Sequence, residues 1–452
     1  MDQSLMRNES QKIIYGLGDT GLSTARYLYS KGDRFCVYDT FKNPPLLKTL
    51  KKEMPDIRFF SGKQRLSDAV GQIEILLSPG VSPVDSFLRN AISAGATVKS
   101  DLDLFVSEVD VPVVGITGSN GKSTVTELVG KMAQESGFEA AIGGNLGPPA
   151  LELLENNAEI FILELSSFQL EISGPLNLSV AAILNLSPDH LDRHKTMASY
   201  RSAKERIFSR CKTAVINLTD EITYSNNLSD CEIFKWGFDE PASGAIGLSG
   251  QFPNVYICFG KREIMRVDEV CLTGKHNLAN SLAALAIGIS SGFCIESMCR
   301  VLKNFSGLAH RCELILSRAG VDWINDSKAT NIGATRAALE GLGGQKNIIL
   351  IAGGVAKGAN FKSLITPIRK HCKQVILMGE SAIEISETIS HEVKVSRVTS
   401  IEEAVQFSKN ISAAGDLVLL SPACSSLDMF RNYIDRGNTY ARAVLDAAGI
   451  GH

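Results

Sequence analysis

VVGITGSNGKSTVTELVGKMAQESG, residues 113–137, passes from an apolar run through a glycine-rich turn into a segment with helical spacing. Residues 113–116 are typical of a short buried strand, and between 125 and 132 the apolar residues recur at the period of a helix. Gly137 stands where a helix commonly stops. The stretch therefore predicts a strand, a turn and a helix, which is the repeating unit of an α/β domain.

The turn at residues 118–124, GSNGKST, has the composition of a loop that holds nucleotide phosphates. Glycines let backbone N–H groups approach phosphate oxygens, and the N-terminus of the following helix adds partial positive charge. Lys122 is placed to reach the terminal phosphates, and Ser123 is placed to put a hydroxyl on Mg²⁺. Ile116 stands where the strict phosphate-loop pattern has glycine, so the loop is a variant. A plain strand–turn–helix corner is the alternative.

The composition indicates a globular protein of several domains. The chain has 452 residues, of which 44% are hydrophobic, and this length predicts about three domains. With a net charge of −3, the chain has no excess of positive charge that would attract nucleic acid. Ten scattered cysteines without a C-x-x-C pair favour a reducing compartment over a disulfide framework or a zinc site. With no apolar signal segment and no apolar run of about 18 residues, we expect a cytoplasmic protein without a membrane span.

Strand-like and helix-like patterns alternate along the whole chain, which predicts α/β domains with mostly parallel sheets. The first domain, residues 1–100, contains GLGDTG at 16–21 between an apolar strand and a helix, and its next strand ends at Asp39. This pattern indicates a dinucleotide-binding Rossmann unit, and the alternative is a similar turn that binds another nucleotide or none. Residues 78–80, Ser-Pro-Gly, follow a further strand, where such sheets hold ligands.

The second domain, residues 101–307, places two candidate metal ligands at strand ends. Glu164 ends a buried apolar run, and a carboxylate there suits Mg²⁺, although a capping or ion-paired glutamate is the alternative. A strand is also expected to end near His190, which could instead be a structural histidine. If Glu164 and His190 both lie at strand ends, their side chains meet at one edge of the sheet. Glycines at 143–147 could bring backbone close to a ligand or form a simple loop.

Lys204 lies on the apolar face of a predicted helix, four residues after Tyr200 and three before Ile207. A lysine at the border of such a face can extend its ammonium group to solvent. The alternative is a buried lysine with a lowered pKa and hence a nucleophilic neutral amine. Asn277 and Asn280, one helical turn apart, either cap a helix at Asn277 or hydrogen-bond a base edge.

The third domain, residues 308–452, is expected to have strands at WIND, NIILIAGG, QVILMG and DLVLLSPAC. Polar clusters follow these strands or lie at the domain entry, which is where α/β proteins build sites. They are residues 309–311, residues 326–331, Lys357 and residues 421–430.

Taken together, eight motifs resemble those of the Mur ligases along essentially the whole chain. They are TGSNGKST, ELSSFQLE, SPDHLDRH, YRSAKERIF, KHNLAN, AHR, NDSKATN and SPACSSLD. The resemblance implies an α/β protein with a Rossmann-like N-terminal domain, a central P-loop-type ATPase domain and a Rossmann-like C-terminal domain. It also implies an ATP-dependent amide ligase that adds D-glutamate to UDP-N-acetylmuramoyl-L-alanine through an acyl phosphate, in peptidoglycan biosynthesis. The motif at residues 16–21 would then hold UDP and not NAD.

The resemblance assigns roles residue by residue. The residues implied to contact ATP are Gly118, Asn120, Gly121, Lys122, Ser123, Thr124, Asn277, Asn280, Arg311, Asp326 and Lys328. The residues implied to contact the other substrates are Asp39, Thr40 and Ser78 for UDP, Asn145 for the UDP-sugar-peptide, and Thr330, Lys357, Ser426 and Tyr433 for D-glutamate. The residues implied to be catalytic are Lys122, Glu164, His190 and a carbamylated Lys204. The residues implied to hold two Mg²⁺ ions are Ser123, Glu164, His190 and Lys204.

The resemblance also implies a monomer that acts on small-molecule substrates and binds neither nucleic acid nor membranes.

The chain departs from the family pattern at Val355 and Asn360, where acidic residues are usual, and at Phe41, where a basic residue is common. Another amide ligase of the superfamily, such as a folylpolyglutamate synthase, is one competing hypothesis. An NAD-dependent oxidoreductase and a nucleotide-binding switch without turnover are two others. Tests of ATP cleavage with a panel of amino acids and of NAD binding separate them.

Overall fold

The computed structural model describes residues 12–62, 73–145, 147–224, 228, 231–356 and 360–450. In these residues the chain forms three sheets, one after another along the sequence, with helices between the strands. Each sheet has a sizeable buried core, because its central strands are apolar on both faces and are covered by helices.

The N-terminal sheet is parallel, with strand order β3-β2-β1-β4-β5. Its strands are β1 Lys12–Tyr15, β2 Phe35–Asp39, β3 Phe59–Ser61, β4 Glu74–Leu77 and β5 Thr97–Lys99. Its helices are α1 Asp19–Ser30, α2 Leu47–Glu53 and α3 Ser86–Ser93.

The middle sheet has strand order β14-β13-β12-β11-β10-β9-β6-β8-β7. Its strands are β6 Val113–Thr117, β7 Ala140–Gly144, β8 Ile160–Glu164, β9 Val180–Ile183, β10 Thr213–Asn217, β11 Glu232–Trp236, β12 Ala245–Gln251, β13 Asn254–Phe259 and β14 Arg262–Arg266. The helices around it are α4 Asp101–Glu108, α5 Lys122–Glu135, α6 Ser167–Ile172, α7 Leu191–His194, α8 Met197–Glu205, α9 Lys275–Ser290 and α10 Ile295–Asn304. Short 3₁₀ segments are Ala150–Glu155, Arg206–Phe208, Glu221–Thr223 and Val267–Glu269.

The C-terminal sheet has strand order β15-β16-β20-β17-β18-β19. Its strands are β15 Glu313–Arg318, β16 Val321–Asn325, β17 Ile348–Ala352, β18 Cys372–Leu377, β19 Lys394–Arg397 and β20 Leu417–Leu420. Its helices are α11 Ile332–Leu342, α12 Ile365–His371, α13 Ala382–Ile389, α14 Ile401–Ile411 and α15 Tyr433–Ala447, with a 3₁₀ segment at Phe361–Leu364.

The strand orders explain where a site forms. In the middle sheet β6 lies between β8 and β9 and is parallel to both, so the loops that follow these three strands meet at one edge. In the C-terminal sheet β20 lies between β16 and β17, again in parallel. Loops at the carboxyl ends of parallel strands are the usual ligand sites of such sheets.

Several expectations from the sequence need correction. The strand expected to end near His190 ends at Ile183, and an irregular loop carries the chain to the histidine. Ile207 lies in a 3₁₀ segment after α8, although it is buried as expected. Asn277 does not cap a helix, because α9 begins at Lys275 and the Asn277 Nδ2 donates to the Thr273 oxygen.

The sheets are also less uniformly parallel than the sequence pattern suggests. Strands β12, β13 and β14 form an antiparallel extension of the middle sheet, and β15 pairs antiparallel with β16. Within the described residues, no helix has the length and apolar content needed to cross a membrane.

Candidate active site

The turn after β6 closes tightly onto the start of α5. Gly121, which precedes the helix, has φ +81, a conformation that side chains disfavour. A Cβ there would also lie 2.4 Å from the Asn280 Oδ1, so the glycine lets α9 approach the loop. The Lys122 Nζ donates to the carbonyl oxygens of Gly118 at 2.9 Å and Ser119 at 3.1 Å. Burial lowers the pKa of Lys122, which favours any arrangement that brings anionic oxygens to it.

Glu164 at the end of β8 is 2% exposed and faces the same loop. Its Oε1 accepts a hydrogen bond from the Asn145 Nδ2 at 2.6 Å, and its Oε2 has no hydrogen-bond partner among the residues described. Burial acts to raise the pKa of Glu164, but the charges of Lys122 and Lys328, together with hydrogen bonding by Ser123 and Asn145, outweigh burial and lower it. The carboxylate is therefore ionised, with one oxygen left for a cationic partner.

Lys204 is buried, with 1% of its surface exposed. Its Nζ donates to the Thr117 Oγ1 at 3.1 Å and to the Gly118 oxygen at 3.0 Å, and it lies 4.9 Å from the centre of the Tyr200 ring. Burial lowers the pKa of Lys204 well below its usual value, and the charge of Lys122 adds to this effect. The buried alternative is confirmed over the one in which the ammonium group reaches solvent.

His190 lies in the loop after β9 with φ 53, a left-handed conformation that is uncommon outside glycine. The preceding Asp189 accepts the His190 backbone N–H on Oδ1 at 2.9 Å, and its Oδ2 lies 3.5 Å from the His190 Nε2. The imidazole packs edge-on against Phe168 at 4.8 Å between centroids. These contacts hold the ring at the mouth of the cleft, half-buried.

Cations of the C-terminal domain reach the phosphate loop of the middle domain. The Lys328 Nζ donates to the Ser123 Oγ at 2.6 Å, and the Arg311 Nη2 donates to the same oxygen at 3.3 Å. Burial, together with the charge of Arg311, lowers the pKa of Lys328 to about 7. With Lys122 these groups form a positive cluster around the start of α5.

The remaining residues that were predicted to contact ATP include Asp326, Asn277 and Asn280. Burial raises the pKa of Asp326 to about 6, and its oxygens accept from the Ser421 hydroxyl at 2.8 Å and the Cys312 N–H at 3.3 Å. Asn277 and Asn280 line a cleft of about 1290 Å³ between the middle and C-terminal domains. Other predicted residues that line the cleft are Asn120, Gly121, Thr124, His190, Arg311, Asp326 and Thr330.

The predicted UDP residues lie in the N-terminal domain, apart from this cleft. The Asp39 carboxylate accepts the backbone N–H groups of Leu17 and Phe41, both at 2.8 Å, so it orders two loops. The Ser78 hydroxyl donates to the Gly16 oxygen at 2.8 Å. Thr40 follows Asp39 and is exposed. These contacts shape the carboxyl edge of the sheet, where the sequence placed a ligand.

The predicted D-glutamate residues are brought together only in part. Tyr433 at the start of α15 lies 5.1 Å from the Lys328 Nζ, measured to the ring centre, and Ser426 is buried in the loop after β20. Lys357 lies outside the described residues. Asn360, which replaces an acid of the family pattern, caps the segment Phe361–Leu364 through its Oδ1, and Val355 exchanges backbone hydrogen bonds with Ser425.

Residues that the sequence analysis did not select also belong to this site. Tyr200 contacts the Ser119 hydroxyl at 3.1 Å, and Asn185 holds the backbone N–H of Asn120 at 2.9 Å. Asn331, the last residue of the polar cluster predicted at 326–331, bridges to Asn120 and Asp189, a contact that the sequence did not assign to it. Spacing alone does not predict these contacts, because they join segments far apart in sequence.

The site fits magnesium, judged by its donors. Glu164 offers an ionised, buried oxygen without a partner, and the Ser123 hydroxyl lies within the same group of charged side chains. Over the part of the chain that the structure describes, no three His, Cys, Asp or Glu side chains cluster as a metal site. Ligands for Mg²⁺ would therefore include the Ser123 hydroxyl and substrate phosphates, as is usual for this ion.

Three family models match the chain. One described as Mur ligase MurD-like, N-terminal domain matches residues 10–100. One described as Mur ligase middle domain matches residues 116–288, and one described as Mur ligase, glutamate ligase domain matches residues 310–424. The three matched segments coincide in order with the three sheets.

Curated relatives match nearly the whole chain. The UDP-N-acetylmuramoylalanine–D-glutamate ligase of Pseudomonas aeruginosa is 42% identical over 447 residues, which cover 98% of this chain and 100% of the relative. The ligase of the same name from Pseudomonas putida is 41% identical over 445 residues, covering 98% and 99%. That from Legionella pneumophila is 42% identical over 444 residues, covering 97% and 99%.

Solved structures share the fold at lower identity. A pseudomurein peptide ligase type C from Methanothermus fervidus is 20% identical with a TM-score of 0.61, covering 97% of this chain and 99% of its own. The UDP-N-acetylmuramate–alanine ligase of Thermotoga maritima is 17% identical with a TM-score of 0.58, covering 98% and 99%.

Proposed function

The chain belongs to the Mur ligase family, and we propose that its cleft joins D-glutamate to UDP-N-acetylmuramoyl-L-alanine at the expense of ATP. The reaction is that of the ligases that match the chain at 41% and 42% identity over nearly its whole length, and it belongs to peptidoglycan biosynthesis. We assign the reaction to this cleft because Lys122, Lys328 and Arg311 converge around the start of α5.

Three cations around one helix start suit a triphosphate that is attacked by an anion. ATP and the substrate carboxylate repel each other, and fixed positive charges lower that barrier because they need no reorganisation. We assign Lys122 to the terminal phosphates, with Lys328 and Arg311 completing the charge from the C-terminal domain. Asn277 and Asn280, on the cleft wall, are assigned to adenine.

Glu164 and Ser123 are the residues that would hold a first Mg²⁺, and His190 is assigned to a second. When bound, Mg²⁺ neutralises phosphate charge and orients the phosphates. The free Glu164 Oε2 supports this assignment. Asn145 holds the other Glu164 oxygen and thereby fixes the orientation of the carboxylate.

We propose that Lys204 carries a carbamate in the active enzyme. Its amine is buried and weakly basic, because desolvation disfavours the ammonium form. A neutral amine adds CO₂ and loses a proton, which turns a cation into an anion with two oxygens. Those oxygens would suit a second Mg²⁺ site together with His190.

The C-terminal domain is assigned to D-glutamate. Thr330, Lys357, Ser426 and Tyr433 offer a cation and hydroxyl groups, which suit the side-chain carboxylate of the amino acid. The substrate carboxylate would accept phosphate first, and the D-glutamate amine would then attack the acyl phosphate and release phosphate. Because acyl phosphates hydrolyse readily, contact between the two domains has to exclude water before that attack.

The UDP part of the acceptor is assigned to the N-terminal domain, at Asp39, Thr40 and Ser78. We place the reaction in the cytoplasm and propose a monomer with small-molecule substrates and no nucleic-acid or membrane partner. All ten cysteines are free, which agrees with a reducing compartment, and one chain supplies both walls of the cleft.

Phosphate release tests the proposed reaction. With ATP, Mg²⁺ and UDP-N-acetylmuramoyl-L-alanine, we expect D-glutamate to start phosphate release and L-glutamate to give only background. A panel of other amino acids is the control for related ligases. Release that is independent of D-glutamate, or stronger with another amino acid, would contradict the proposal.

A further inference from the structure

Asn331 bridges the two domains that form the cleft. It precedes α11 in the C-terminal domain, and its Oδ1 accepts the Ala334 backbone N–H at 2.9 Å, which caps the helix. Its Nδ2 donates to the Asn120 Oδ1 at 3.2 Å and to the Asp189 Oδ2 at 3.1 Å, both in the middle domain. All the hydrogen-bonding capacity of the amide nitrogen is used, and the residue is 9% exposed.

These partners fix which way the amide points. A flipped amide would place Nδ2 against the Ala334 N–H and Oδ1 against the carboxylate of Asp189, with repulsion at both ends. The side chain at this position therefore needs an oxygen that accepts the Ala334 N–H and an N–H₂ group that donates to both Asn120 and Asp189. Serine or aspartate could cap the helix equally well, but neither could make the bridge.

The two acceptors lie on the loops that carry the chemistry. Asn120 is in the phosphate loop, directly before Gly121 and Lys122, and Asn185 holds its backbone N–H at 2.9 Å and its backbone oxygen at 2.9 Å. Asp189 holds the backbone N–H of His190 at 2.9 Å. One side chain thus touches both the loop assigned to the ATP phosphates and the loop that presents His190.

The first turn of α11 fits against the same surface. A Cβ at Gly333 would lie 2.8 Å from the Ser187 Oγ and 3.1 Å from the Asn120 Nδ2. The absence of a side chain at residue 333 lets the helix approach the middle domain at this distance without displacing Ser187 or Asn120. The Asn120 Nδ2 in turn donates to the Ser187 Oγ at 3.2 Å, which orients its Oδ1 toward Asn331.

We propose that Asn331 is a positioning residue that couples closure of the C-terminal domain to the geometry of the phosphate loop and of the His190 loop. The inference rests on the proposed function, since it concerns the site where ATP is assigned. When the domains meet, the amide of Asn331 donates to both Asn120 and Asp189 and fixes the position of one loop relative to the other. Lys122 and His190 then face the cleft at the same time. Without it the domains can still bind their own ligands, but the closed arrangement loses its shared hydrogen bonds.

The test uses a variant that keeps the helix cap and removes the bridge. Asn331→Ser retains a capping hydroxyl but is too short to reach Asn120 and Asp189. We expect kcat to fall by about tenfold or more, because small displacements of positioned groups are costly to rate. The KM for UDP-N-acetylmuramoyl-L-alanine should stay within about twofold, since its assigned UDP residues lie on another domain. The melting temperature should be unchanged.

Closure itself is measured by small-angle X-ray scattering of the full chain with UDP-N-acetylmuramoyl-L-alanine and a non-hydrolysable ATP analogue. The wild-type protein should become more compact on ligand addition, and Asn331→Ser should become less so. Asn331→Asp also keeps the cap but sets a carboxylate against Asp189, so it should lower kcat further. Ser400→Ala, which removes the cap of α14 without touching the cleft, should leave kcat unchanged.

A kcat of Asn331→Ser within about twofold of wild type, or undiminished compaction, would overturn the coupling role. So would an equal loss of kcat in Ser400→Ala, because the loss would then be a general effect of destabilising the C-terminal domain and not of removing the bridge. If the wild-type protein fails to ligate D-glutamate, the proposed function is wrong, and scattering with the ATP analogue alone still decides whether Asn331 supports closure.

Discussion

At the scale of single residues, burial sets the chemistry of the lysines around the phosphate loop. Lys204 is almost completely buried and donates only to neutral oxygens, and Lys328 is partly buried beside Arg311. Both have lowered pKa values because desolvation disfavours an ammonium group. The proposed consequences differ: a covalent modification for Lys204 and proton uptake for Lys328.

Replacement of Lys204 tests the carbamate. Lys204→Ala should be nearly inactive, because it removes the oxygens that a carbamate would provide. Added acetate or formate should restore part of the rate, since a free carboxylate can occupy the space of the missing group. Phosphate release with and without the acid measures this, and Ser400→Ala treated in the same way is the control. Full activity of the alanine variant, or an unmodified ammonium in a metal-bound crystal structure, would rule the carbamate out.

Lys328 should take up a proton when ATP binds. Its pKa of about 7 leaves most of it neutral at pH 8, and adjacent phosphates stabilise the charged form and raise that pKa. Uptake should therefore be present at pH 8 and decline toward pH 6, where the lysine is already charged. Calorimetry in buffers of different ionisation enthalpy measures it. Lys328→Arg, which stays charged, should lose this uptake, and equal uptake by both proteins would contradict the assignment.

At the scale of elements, the decisive contact is the first turn of α11 against the loops of the middle domain. Gly333 is a weak helix former, and its presence is explained by the Ser187 hydroxyl that a Cβ would meet at 2.8 Å. Glycine at position 333 therefore lowers the local stability of α11, but it allows the helix to come close to the middle domain across the cleft.

Gly333→Ala separates these two effects. Alanine should stabilise α11 by up to about 1 kcal/mol, so the melting temperature should stay the same or rise. The same methyl group should hinder closure and lower kcat several-fold, because overpacking a tight contact is costly. Gly344→Ala lies outside the helix, and the atoms nearest to an added Cβ there belong to Asn347 of the same domain, so it is the matched control and should leave kcat unchanged. Normal kcat in Gly333→Ala would show that the helix does not need this approach.

At the scale of the whole molecule, the proposed function divides the substrates among the three sheets. Contacts that join the N-terminal domain to the middle domain include the Arg193 hydrogen bond to the Pro79 oxygen at 2.8 Å and the Arg26–Glu152 ion pair at 3.0 Å. The middle and C-terminal domains meet at Ser123 and Asn331. Such a division predicts that a change in one domain affects mainly the substrate assigned to it.

Lys357→Ala tests that division. The KM for D-glutamate should rise far more than the KM for ATP, because a cation that pairs with the amino-acid carboxylate is lost. Initial rates at varied D-glutamate and varied ATP measure both constants. Lys362→Ala, a nearby exposed lysine, is the control and should change neither. Equal effects on the two substrates, or no effect, would count against a D-glutamate pocket at this position.

The sequence by itself determined the α/β class, the phosphate loop, Glu164 at a strand end and the apolar helix face that carries Lys204, because each is a local pattern of period, glycine and polarity. Whether the Lys204 ammonium group is buried or reaches solvent was decided by the structure. It did not determine that β6 lies between β8 and β9, or that β12–β14 and β15 are antiparallel, since strand order depends on contacts between distant segments. Only the tertiary structure decided the meeting of Lys328 and Ser123, 205 residues apart, and the bridge from Asn331 to Asn120. Hydrogen bonds between domains leave no periodic signal in either partner, so the sequence could indicate Lys328, Ser123 and Asn120 as site residues but not which of them meet.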